Sequence, residues 1–143
     1  MADIAKLTVL TKGATATMSA GTASFTVPLG GGKDSRAFLF FDNANTNVTV
    51  RAKIKAGDGE LNALGDMNVD IAASMAAAIP MGESMRFKNR VATTAYANGG
   101  SVTVNLTDTA DGALAAGTLA NVKTVLIQGG AIQYNLPASG EEE

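Results

Sequence analysis

The chain has 143 residues, of which 46% are hydrophobic and only 5% aromatic, with a mean hydropathy of +0.14 and a formal net charge of −2. That is enough apolar material to offset the entropy of ordering one domain, so a disordered chain is excluded, and the length is short for two ordinary domains. A pI near 5.1 gives no general attraction to nucleic acid or anionic membrane, and the absence of both Cys and His excludes disulfides, thiolate metal sites, histidine-dependent triads and the commonest zinc ligand.

Leu7 to Leu10 is a short apolar run, followed by a Thr/Ala/Ser stretch that reaches Phe25-Thr26-Val27 and reads as edge strands or an extended arm with weakly specified register. Pro28 to Asp34 is a break. Ala37-Phe38-Leu39-Phe40-Phe41 is the densest apolar run and reads as a strand buried on both faces, joined through Asn43 to Asn47 into a hairpin with the next strand. That next strand alternates cleanly, Val48, Val50, Ala52 and Ile54 against Thr49, Arg51, Lys53 and Lys55. Ala56-Gly57-Asp58-Gly59 ends it in a turn, and Met67, Val69 and Ile71 alternate with Asn68 and Asp70 in an antiparallel return strand.

Ala72 to Ala78 has the best helix propensity in the chain but is too short to stand alone before Pro80, and reads as a connection or strand edge, with a single helical turn as the alternative. Met81 to Lys88 brings Met85 and Phe87 to one face and reads as a strand. Thr93 to Ala97 and Ser101 to Leu106 flank Asn98-Gly99-Gly100 as a hairpin. Thr107 to Asn121 reads as a loop with one helical turn or as a protruding excursion. Val122 to Gln128 has apolar residues on both faces and reads as an internal strand; Ala131 to Leu136 is a last short one, before an acidic tail with nothing to bury.

Short strands between Gly and Asn turns predict an all-β, single-domain antiparallel β-sandwich, jelly-roll-like or immunoglobulin-like, with a thin core lacking large aromatic anchors. Its expected divisions are an N-terminal arm with edge strands (1–32), the sandwich core (33–137) and a mobile acidic tail (138–143).

The tests for chemistry assign no catalytic, cofactor-binding or metal residue. Gly30-Gly31-Gly32-Lys33 suggests a phosphate loop, but Val27 and Asp34 stand where that loop requires Gly and Ser or Thr. Asp58, Glu60, Asn62 and Asp66 are spaced like the start of a calcium loop, yet Ala63 replaces the turn glycine and Val69 the bidentate Glu, so a structural loop is the better reading. Outside the tail the glutamates are Glu60 and Glu83, and most aspartates border turns, which argues against paired-carboxylate hydrolysis. Arg51, Lys53 and Lys55 form a basic stripe, read as a solvated sheet face. Tyr96 and Tyr134, without any Trp, are a poor platform for sugars. Asn47-Val48-Thr49 and Asn105-Leu106-Thr107 match glycosylation acceptors but fall in expected strands of a chain with no signal-like N-terminus and no membrane-length apolar segment.

The middle of the chain resembles a family of small virion proteins of tailed bacteriophages. The resemblance rests on an alternating strand (Val48 to Lys55), Ala56-Gly57-Asp58-Gly59, a spacer, Leu64-Gly65-Asp66, a second strand (Met67 to Ile71), the alanine-rich connection, and Glu83-Ser84-Met85-Arg86-Phe87, with the preceding Arg36 to Asn43 strand included. What it implies is a non-enzymatic capsid decoration (head cement) protein. Such a protein is made in the host bacterial cytoplasm, binds the major capsid protein on the outer surface of the head lattice and stabilises the head; a homo-oligomer on the capsid surface is compatible with this. Neither a nucleic acid, a membrane nor a cofactor is expected as partner, and the capsid-contact residues are not assigned. The alternatives are a phage tail or fibre β-sandwich module and a carbohydrate-binding module.

Overall fold

The computed structural model describes residues 3–9, 14–29, 36–82, 84–89 and 100–129. Alternating apolar and polar residues produce most of its elements: β1 (Lys6–Val9), β2 (Ser19–Ala20), β3 (Ser24–Pro28), β4 (Ala37–Asn43), β5 (Val50–Ile54), β6 (Met67–Ile71), β7 (Ala76–Pro80), β8 (Ser101–Thr107) and β9 (Val122–Gly129). Two short helices, α1 (Ser84–Phe87) and α2 (Ala116–Ala120), and a 3-10 turn at Asn62–Leu64 lie between strands. One sheet has the order β1-β9-β4-β7, with β2 also paired to β9; the other has the order β3-β8-β5-β6. The sandwich is all-β, as the alternation predicts, and every strand pairing but one is antiparallel.

The strand order also decides the topology. β2 lies antiparallel along Lys123 and Thr124, and β1 parallel along Leu126 to Gly129, so the two share one position beside β9. From β2 onward the chain changes sheet at every connection except the β5–β6 hairpin. This interleaving is that of the jelly roll.

The inner faces supply the core: Phe25, Val27, Val50, Ala52, Ile54, Ile71, Val102, Val104 and Leu106 from one sheet meet Ala37, Leu39, Phe41, Ile79, Val122 and Leu126 from the other, all buried. Its centre does contain an aromatic anchor, contrary to the composition-based expectation: the Phe25 and Phe41 rings meet across the sheets at 6.1 Å and 59°. A low aromatic fraction limits how many anchors there are, not where they sit. Thr124 and Gln128 are also buried on β9, and Thr124 Oγ1 and Gln128 Nε2 find no hydrogen-bond partner among the described residues. The N-terminal segment closes one side of the sandwich. Asp3 bridges to Thr26, Ile4 N donates to Thr26 O (3.1 Å), and Leu126 N donates to Ala5 O (2.9 Å), so the chain steps from the edge of one sheet to the edge of the other with Ile4 buried between them.

Three sequence expectations are corrected. β4 is not buried on both faces: it alternates, with Leu39 and Phe41 inside and Phe38 43% exposed, because no described layer covers its outer side. β4 and β5 form no hairpin; they lie in different sheets, and residues between them turn the corner. Met81 to Lys88 is not a strand, since Ser84–Phe87 is a helical turn whose Phe87 is buried in the core. The alanine run gives β7, an edge strand beside β4, because the backbone of an apolar central strand needs a partner more than seven residues gain from helix propensity. The expected strands at Thr93 to Ala97 and Ala131 to Leu136, the Gly30 to Lys33 loop and the tail lie outside the described residues.

The corner after β4 is held by a buried amide. Asn43 Nδ2 donates to the carbonyls of Val48 (2.9 Å), Ile71 (3.0 Å) and Ala72 (3.2 Å), while its Oδ1 accepts from Asn45 N (3.1 Å) and Asn45 Nδ2 (2.9 Å). Asn45 Nδ2 also reaches Thr118 O (3.0 Å), and Asn121 Nδ2 donates to Asn45 Oδ1 (3.3 Å). Three connections at one end of the sandwich, β4–β5, β6–β7 and β8–β9, are thereby tied through two side chains.

Candidate functional site

The loop between β5 and β6 is tied down both at its base and from outside. Asp66 Oδ1 accepts from Ala56 N (2.7 Å) and Oδ2 pairs with Lys55 Nζ (2.7 Å), which closes the loop at its base. From outside, α1 braces it: Arg86 Nε donates to Gly65 O (3.0 Å), a second guanidinium nitrogen to Asp66 O (3.2 Å), and Gly57 N donates to Arg86 O (2.9 Å). The Arg86 guanidinium also lies 4.7 Å from the Phe87 ring centroid. Gly65 sits at φ 78, which suits glycine, and a Cβ on Gly57 would meet the Phe87 and Lys88 carbonyls. At the tip the 3-10 turn leaves Leu61 45% and Leu64 62% exposed. Leucines three apart on a braced turn form a small, pre-ordered apolar knob.

The calcium-like spacing therefore has another explanation. Both Asp66 oxygens are committed to Ala56 and Lys55, Asp58, Glu60 and Asn62 are exposed, and among the described residues no three acidic side chains gather. Glu83, Tyr96 and Tyr134 lie outside the described residues. Asn105 is on β8 and its Oδ1 accepts from Ser24 Oγ (2.7 Å), whereas Asn47 lies in the β4–β5 connection rather than in a strand.

The two sheets differ on their outer faces. On β5 the basic stripe is neutralised: Arg51 binds Asp70 (2.8 Å) and Asp111 (3.4 Å), Lys53 binds Asp111 (3.1 Å), and Lys55 binds Asp66 (2.7 Å). Asp70 is the cross-strand partner of Arg51, while Asp111 arrives from the β8–β9 connection on a residue at φ 64. The Arg51 hydrogen bond holds Asp70 below the usual carboxylate range, and the Lys53 hydrogen bond does the same for Asp111. For Asp66, burial acts upward, but the Lys55 and Ala56 hydrogen bonds outweigh it and the net shift is downward. Asp70 raises Arg51 in turn.

Carboxylates with lowered folded-state pKa contribute stability above their unfolded pKa of about 4, and that contribution is lost as pH falls through the lower folded value. Urea melts in a pH series should therefore show little change from about pH 7 to 5 and a decline below about 4. Asp66→Asn should be less stable than the parent by up to about 1 kcal/mol at neutral pH, with the gap closing as the pH falls below the usual carboxylate range and Asp66 is itself protonated. A gap independent of pH would show that the charge is not what matters there.

The outer face of the β1-β9-β4-β7 sheet is different in kind. Cross-strand registers place Leu7, Ile127, Phe38 and Pro80 in one row and Val125, Phe40 and Ala78 in the next. Val125 is buried although it lies outside the core cluster. The third row is Ala20, Lys123, Asp42 and Ala76.

Comparison with protein-family models, with curated proteins and with solved structures gives no match. The residues that sequence reasoning missed are Asn43 and Asn45, which read as turn formers; Asp111, which is distant in sequence from its cations; and Arg86, whose target carbonyls carry no sequence signal.

Proposed function

We propose that this chain is a structural virion protein that binds the outer surface of a bacteriophage head lattice and stabilises it. The observation that carries this reading is the braced Leu61/Leu64 knob. Three of the segments on which the phage resemblance rests, Ala56 to Gly59, Leu64 to Asp66 and Glu83 to Phe87 through Arg86, help to hold that one loop in place. An ordered apolar projection loses little entropy on docking, which is what a repeated, low-area protein contact needs. Attachment to several neighbouring lattice subunits then multiplies modest single-contact affinity through effective concentration. The jelly roll does not choose the function, because it hosts capsid and lectin domains alike.

Purified protein mixed with undecorated expanded heads and with unexpanded procapsids should bind the expanded heads stoichiometrically. With Leu61 45% and Leu64 62% exposed, covering what remains is worth about 1.5 to 3 kcal/mol, so Leu61→Ser with Leu64→Ser should weaken head binding by about 10- to 100-fold while leaving the melting temperature within a few degrees. Binding to cell-wall glycan instead of heads would replace this reading with a carbohydrate-binding one. Undiminished head binding by the double variant would move the contact elsewhere on the protein.

A further inference from the structure

We propose that the outer face of the β1-β9-β4-β7 sheet is a homodimer interface, in which a second copy packs face to face about a two-fold axis running along the β4/β9 seam. This goes beyond lattice binding and stands independently of it, since the Leu61/Leu64 knob belongs to the other sheet.

The argument begins from the contrast between the two faces. On the β5 side Arg51, Lys53, Lys55, Asp66, Asp70 and Asp111 are all paired within the chain. On the opposite side the face is apolar for two rows, with Phe38 43% exposed in the first of them, and ends in an opposite-charge pair. Lys123 and Asp42 are direct cross-strand neighbours, both exposed, and neither forms a salt bridge among the described residues. An apolar field bordered at one end by a cation and an anion at the same height, and at the other by Arg36 lying over Gly129, is a demanding pattern for an unrelated partner. For a copy of itself it is already satisfied.

The register shows why. In face-to-face packing a two-fold axis lies in the plane between the sheets, and the same patch serves both copies. An axis along the seam exchanges β4 with β9 and leaves each row at its own height. Asp42 then faces Lys123 of the second copy and Lys123 faces its Asp42; Phe38 faces Ile127, Phe40 faces Val125, and Pro80 faces Leu7, each contact occurring twice. Twisted sheets packed this way cross at about 30°, a rotation centred near the Phe40/Val125 row, and a lysine is long enough to follow the displacement of the end row. Any axis that exchanged other strands would set Lys123 or Asp42 against Ala20 or Ala76. The footprint, about 19 Å across four strand positions and about 17 Å along five residues, is smaller than a standard interface, so the dimer should be weak and concentration-dependent.

Charge reversal tests the pairing without touching the core. Sedimentation equilibrium of the full chain from about 1 μM to about 1 mM should show a monomer–dimer equilibrium in the wild type. Asp42→Lys alone and Lys123→Asp alone each create two like-charge contacts per dimer and should weaken association by about tenfold or more. The double reversal, Asp42→Lys with Lys123→Asp, restores both pairs and should recover association to within about threefold of wild type. Circular dichroism melts verify that each variant is folded. A wild type that stays monomeric throughout overturns the proposal, as does a dimer that the single reversals leave unchanged or a double reversal that fails to recover; the first result would leave this face to a different protein.

Discussion

Replacing Asn43 by alanine should destabilise the protein by about 3 to 5 kcal/mol, lowering the melting temperature by roughly 10 to 15 °C for a domain of this size. The side chain is fully buried and makes five hydrogen bonds, donating to three backbone carbonyls and accepting twice from Asn45. Alanine leaves the Val48, Ile71 and Ala72 carbonyls without this donor and frees the Asn45 amide, and each such loss at a buried site costs about 1 to 3 kcal/mol, partly recovered where the corner relaxes towards water. Asn43→Asp should be at least as harmful despite its matching shape, because it sets a buried anion against carbonyl oxygens. Chemical denaturation of both variants is the measurement. A loss below about 1 kcal/mol in Asn43→Ala would mean that the corner is held by the sheets alone.

Gly57→Ala should cost about 2 to 3 kcal/mol, a large effect for the addition of one methyl group. A Cβ at this position would stand 2.5 Å from the Lys88 carbonyl oxygen and 2.6 Å from that of Phe87. Both are backbone atoms, so no side-chain rotation relieves the contact. Either the loop or α1 must withdraw, breaking the bond from Gly57 N to Arg86 O and loosening the Arg86 bonds to Gly65 and Asp66. Limited proteolysis should then cut between Gly59 and Gly65 faster than in the parent, and head binding through Leu61 and Leu64 should weaken even at temperatures where the sandwich stays folded. Unchanged cleavage and stability would show that the contact between loop and α1 is dispensable.

Much of the architecture was legible because strand periodicity is a local property. The alternation through Val50–Ile54 and Met67–Ile71 predicts one wet and one dry face, and the Gly and Asp residues between them predict the connecting loop. The apolar character of both faces of Val122 to Gln128 places that strand inside a sheet. Less was legible wherever a residue's role depends on a distant partner. Asn43 and Asn45 look like any turn asparagines until Ile71, Ala72 and Thr118 are brought beside them. The stripe of Arg51, Lys53 and Lys55 looks basic until Asp111 arrives from the β8–β9 connection. Arg86 lies in a segment whose alternation suits a strand, yet its neighbourhood is helical because Phe87 must enter the core while the guanidinium reaches back to the loop.

By itself the amino-acid order determined an all-β domain, where its clearest strands run and which of their residues turn inward, since these follow from side-chain periodicity and turn chemistry within a few residues. Only the tertiary structure decided that β4 and β5 part into separate sheets, that the sheets interleave as a jelly roll, and that one outer face is charged and internally paired while the other is apolar. Those outcomes depend on which strands become neighbours, and backbone pairing between distant segments leaves no local pattern from which to read it.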